Sequence, residues 1–89
     1  MDTAQLYRRR HLLRLEQYVR ERCLHRVVKN DGMEIRQMLE RDQTITDFSH
    51  KGNFVFEVKM HWPGTMLIWT EPMDEEGEYI RIIGYSIEP

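Results

Sequence analysis

The sequence predicts a small α+β domain: two N-terminal helices packed on one face of a four-stranded antiparallel β-sheet, a meander. Three observations carry this reading. Residues 3–28 contain neither Gly nor Pro and are rich in Leu, Arg, Glu and Gln, which are good helix formers. Residues 53–62 alternate apolar and polar side chains, the period of a half-buried strand. Turn residues at 49–52 and 63–64 separate that run from two more stretches rich in β-branched and aromatic residues. A length of 89 residues allows one domain, 1–89, with 1–41 helical and 42–89 forming the sheet.

The first helix is amphipathic. At 100° per residue Leu12, Leu15, Val19 and Cys23 fall together, and Leu6, Leu13, Leu24 and Val27 widen the stripe. Lys29, Asn30, Asp31 and Gly32 stop it. Asp31 followed by Glu34 has capping-box spacing, and Ile35, Met38 and Leu39 stand at i, i+3, i+4, so a second helix is expected over residues 32–41. The competing reading makes Asn30-Asp31-Gly32 a hairpin turn between 24–29 and 33–39.

Strands follow at 44–48, 53–62, 65–70 and 78–87, with a turn at 49–52, a tight Pro63-Gly64 turn and an acidic loop at 71–77. Phe54, Phe56, Val58, Met60 and Trp62 share the face the helices must cover. Val55, Glu57, Lys59, His61, Leu67 and Trp69 fall on the other face. It is completed by either Tyr79, Arg81, Ile83 and Tyr85 or by the Ile80/Ile82 set. Two helices cannot hide both faces, so the second face implies burial against something else, a second copy first and another protein next.

Charge is partitioned along the chain. Residues 1–30 carry eight Arg or Lys against three acids, a net of +5, and residues 31–89 carry five against twelve, a net of −7. A basic helix lying on an acidic sheet accounts for this within the protein. Two external readings also follow. An acidic sheet and loop, with Asp74, Glu75 and Glu76 beside Trp69, Tyr79, Arg81 and Tyr85, suits an inhibitor or adaptor that engages a basic partner. The helix end with Arg8, Arg9, Arg10 and Arg14 suits an anion or nucleic acid.

The chemistry signals are sparse. The four histidines lack metal-ligand spacing, and Cys23 and His25 project about 200° apart on a helix. Cys23 lies on the apolar stripe, a core position rather than a nucleophile. No motif implies a metal, a cofactor or a catalytic group. A single cysteine excludes an internal disulfide, no secretory signal is apparent, and the longest apolar run, Met66 to Trp69, is far short of a membrane span. The expectation is a soluble cytoplasmic protein that does not engage a membrane.

Two local resemblances exist. Asp47-Phe48-Ser49-His50-Lys51-Gly52 fits D-x-S-x-x-G and Arg10-His11-Leu12-Leu13-Arg14 fits R-x-x-x-R. Together they resemble the cyclic-di-GMP-binding elements of PilZ domains, which implies a guanine and phosphate grip by those arginines and the Asp/Ser pair. The element order, closing on Tyr79-Ile80-Arg81-Ile82-Ile83-Gly84-Tyr85, is similar to RelE/ParE-type toxins. That likeness implies RNA cleavage by Lys59, His61, Arg81 and Tyr85. Both are local, and the chain is assigned to neither family. The expected function is a non-enzymatic interaction or regulatory module, working as a homodimer through the uncovered sheet face.

Overall fold

The structure, a computed structural model, describes residues 2–62 and 64–88. The elements run α1 (Thr3–Arg22), β1 (Val27–Lys29), α2 (Met33–Glu40), β2 (Ile45–Gly52), β3 (Val55–Met60), β4 (Thr65–Pro72) and β5 (Tyr79–Glu88). The five strands form one antiparallel sheet in the order β1-β5-β4-β3-β2. It curls into a half-barrel on which the helices pack. The expected four-stranded meander is therefore corrected: the sheet has a fifth strand, β1, and it is curled. β1 also carries the sheet across the expected division at residues 41 and 42.

The fifth strand exists because α1 stops early. Asp2 caps its start, accepting from the Gln5 N–H at 2.8 Å. At the other end the N–H groups of Cys23 and Leu24 both donate to Val19 O, and His25 takes a left-handed conformation with φ 69°. The β5 backbone then captures the chain. His25 N–H donates to Ile82 O at 2.8 Å, Ile82 N–H to Arg26 O at 3.0 Å, and Val28 pairs with Ile80. Helix propensity across residues 23–28 is weak beside a free sheet edge that satisfies the same backbone groups, and Val27 and Val28 favour the extended form.

The second helix is present, as the capping pattern predicts. Its N-cap is Gly32 rather than Asp31, while Asp31 Oδ1 accepts from the Met33 N–H at 3.0 Å. Gly32 is required twice over. Its φ is +77°, and a Cβ there would stand 2.6 Å from Phe48 Cε1 and 3.0 Å from Phe56 Cε1. α2 contacts both β1 and β2, the two edges of the sheet, and buries Ile35 and Leu39.

The expected turn at 49–52 is strand: β2 runs on to Gly52, and the chain reverses through Asn53 and Phe54 at φ 53° and 62°. Positive φ at both central residues is the twist a two-residue hairpin demands. Phe54 bears it because Thr70 holds its carbonyl from two sides, through N–H at 3.0 Å and Oγ1 at 2.6 Å. Of the Pro63-Gly64 turn, Pro63 lies outside the described residues.

Leu15, Val19 and Cys23 of α1 join Ile35, Leu39, Phe56, Val58, Met66, Ile68, Ile80 and Ile82 in a single core. The predicted stripe is buried only in the second half of the helix. Leu6 and Leu13 are exposed, Leu12 is half-buried, and the molecule extends 50 × 23 × 20 Å.

Candidate functional site

Strand register decides which side chains share the uncovered face. Val55, Trp69 and Gly84 are cross-strand neighbours, as are Glu57, Leu67 and Ser86, and Glu71, Arg81 and Val27. These rows point away from the helices, because the alternate residues Phe56, Val58, Ile68 and Ile82 are buried beneath them. Trp69 is 37% exposed, Ile83 46% and Val27 49%, and Val55 and Leu67 beside Trp69 are half-buried. The outcome is an apolar patch spread over four adjacent strands.

A register shift in β5 sets its composition. Trp69 pairs with Gly84 and Thr70 with Ile82, so Ile83 is the extra residue of a β-bulge. A bulge reverses the alternation on either side. Tyr79 and Arg81 therefore lie on the uncovered face, whereas Tyr85 lies on the covered one and packs against the core. The expectation that Tyr79, Arg81, Ile83 and Tyr85 share a face is corrected on this point. Ile80 and Ile82 are buried. Trp69, Tyr79 and Arg81 are brought to one face, and Asp74, Glu75 and Glu76 occupy an exposed loop leading into β5.

Two acids of the uncovered face, Glu71 and Glu57, are paired. Arg81 donates through Nε to Glu71 Oε1 at 2.8 Å and again through its terminal nitrogen, and Lys51 stands 3.6 Å from Glu57. Four further acids, Asp74, Glu75, Glu76 and Glu78, stand exposed in the 74–78 loop. There Asp74 is occupied locally, its Oδ1 accepting from the Glu78 N–H at 2.8 Å and its carbonyl from Gly77.

The basic residues of α1 do not share one environment. Arg8 lies over the Trp62 ring at 5.9 Å, next to His11, which meets the same ring edge-on at 5.1 Å and stands 3.1 Å from Gln43 Oε1. Arg9 and Arg10 are exposed. Arg14 borders an open groove between α1 and the C-terminal end of α2, together with Arg22, Arg26 and Arg41. Those last three had no place among the residues expected to bind an anion. The signal was present in the four-residue spacing of Arg14, Tyr18 and Arg22, but Arg41 reaches the groove only through the fold.

The four residues that the toxin resemblance singles out are not brought together. Lys59 and Arg81 share the uncovered face but stand about 20 Å apart along the strands. His61 is exposed beyond β3, and Tyr85 is on the opposite face, so the four do not converge. Residues 47–52 are continuous edge strand instead of a strand and a turn, and His50 packs edge-on against Phe56 at 4.8 Å. Among the described residues no three His, Cys, Asp or Glu side chains are grouped to hold a metal ion. Cys23 is buried, and burial pushes its thiol up to about 11, with the Arg26 guanidinium pulling weakly the other way. Such a thiol is a poor nucleophile near neutral pH.

No helix of the described residues is long and apolar enough to cross a membrane. No protein-family model matches the chain, and neither a curated protein nor a solved structure matches it significantly.

Proposed function

We propose that this chain is a non-enzymatic interaction module that pairs with a second copy of itself through the uncovered face of the sheet. The observation that carries this reading is the patch of Trp69, Ile83, Val27, Val55 and Leu67, which register assembles on one surface. Apolar side chains grouped across four strands favour burial against a surface of the same kind.

The charges favour a copy over a basic partner. An acidic face would repel itself, but here Glu71 is matched by Arg81 and Glu57 by Lys51. A two-fold axis through such a face sets groups of both signs opposite each other. The 74–78 loop lies at the rim of this surface, where it is free to engage a further, basic partner once the pair has formed.

Light scattering on the purified chain tests the proposal. The expected mass is about twice 10.9 kDa, and Trp69→Asp is expected to return the monomer while leaving the circular dichroism spectrum intact. A mass of 10.9 kDa throughout the micromolar range overturns it, as does a dimer that Trp69→Asp does not disturb.

A further inference from the structure

The groove between α1 and α2 has properties the sheet face lacks. It is open, about 510 Å³ in volume, and bordered by Arg14 and Arg22 of α1, Arg26 in the turn that follows, and Arg41 at the end of α2. Elsewhere ion pairs form: Arg36 with Glu40, Lys51 with Glu57 and Arg81 with Glu71. Among the described residues none of the four groove arginines makes one. The two acids on the groove rim are engaged by amides, Glu21 by Gln17 at 3.1 Å and Asp42 by Gln43 at 3.5 Å. Four arginines thus border one volume with their guanidinium donors uncommitted to carboxylates.

A ring lies in the middle of this row. Arg14, Tyr18 and Arg22 stand at i, i+4 and i+8, one ridge of the helix with about 6 Å of rise between successive members. Tyr18 is half-buried, and its hydroxyl donates to Met38 O at 2.6 Å, which fixes the ring across the groove. A pinned aromatic flanked on both sides by arginines is the arrangement that stacks a base and holds the phosphates either side of it.

From this arrangement we infer that the α1–α2 groove binds single-stranded nucleic acid, with Tyr18 as the stacking platform and Arg14, Arg22, Arg26 and Arg41 on the backbone phosphates. This site is independent of the sheet face, because the groove residues lie on the helical side of the sheet. The net +5 of residues 1–30 steers a polyanion toward it.

Fluorescence anisotropy of a labelled uridine dodecamer with the full chain provides the test. Saturable binding is expected, weakening about 50-fold between about 50 and about 200 mM salt if four phosphates are neutralised. The double variant Arg22→Ala/Arg26→Ala is expected to weaken binding at least about tenfold and to flatten the salt dependence. Arg36→Ala, outside the groove, is expected to leave it unchanged, and circular dichroism checks that each variant is folded. Tyr18→Ala is expected to lose roughly a further tenfold, and Tyr18→Phe, which keeps the ring, to lose less. Absence of saturable binding at low salt overturns the inference. An Arg36→Ala loss equal to that of the groove variants also overturns it, since charge alone would then be acting. Competition by polyglutamate as effective as that by unlabelled RNA assigns the groove to an acidic protein and overturns it as well.

Discussion

The two faces of this sheet are made by the same strands, residue by residue in alternation, yet they differ in what surrounds them. On the covered face Phe56, Val58, Met66, Ile80 and Ile82 are sealed beneath two helices, and each is at most 1% exposed. On the uncovered face Trp69, Ile83 and Val27 are exposed among paired charges. Both faces are apolar enough to read as core in sequence. Hydrophobicity in sequence therefore does not by itself distinguish the face that the helices seal from the one they leave open.

Truncation on the two faces gives the sharpest contrast. Phe56→Ala removes a ring from the sealed side and is expected to cost about 3–5 kcal/mol in urea unfolding, enough to abolish folding of a domain this small. Trp69→Ala on the open side, where the ring is 37% exposed, is expected to cost the monomer about 1–2 kcal/mol, with a further effect on association. Equal losses from both would mean that the open face is core in the isolated chain.

Gly32 and Gly52 extend the contrast to the backbone. Both have positive φ, but a Cβ at Gly32 meets Phe48 and Phe56 whereas one at Gly52 meets nothing within 4 Å. Gly32→Ala is expected to cost about 2–4 kcal/mol, conformational strain plus overpacking, and Gly52→Ala about 1–2 kcal/mol from strain alone. Chemical denaturation of the pair separates the two contributions.

Cys23 reports on the covered side through pH. Its thiol binds its proton more tightly when folded, so the contribution is complete below about pH 9 and is lost as pH rises through about 11. The expected loss is about 2–3 kcal/mol across that window. Cys23→Ala, itself less stable at all pH values, is expected to lack this part of the alkaline decline. Comparing urea midpoints of both proteins at several alkaline pH values checks it.

The smallest effect belongs to the open face. Arg81→Ala breaks the pair with Glu71 where both side chains are substantially exposed, and is expected to cost under about 1 kcal/mol in the monomer. A larger loss, measured where the chain is monomeric, would show that this ion pair supports the fold as well as neutralising the face.

Much of this was legible beforehand. The position of α1 followed from its composition, and α2 from the spacing of Ile35, Met38 and Leu39. The identity of the covered face followed from the alternation of Phe56, Val58 and Met60. β1 was hidden because three residues are too few to show a period, and their strand form depends on pairing with β5, 50 to 54 positions away. The side taken by Tyr85 was hidden by the bulge at Ile83, which no local pattern announces. The groove arginines were legible as a charged helix, but their convergence with Arg41 was not.

The sequence by itself determined an α+β domain with a basic helix, a strand-rich acidic remainder and more apolar surface than two helices can hide, since these properties follow from composition and local period. Only the tertiary structure decided where α1 ends, how the sheet curls and which side chains share a face. Each of those rests on hydrogen bonds and contacts between segments distant in the chain, whose energies no local window contains.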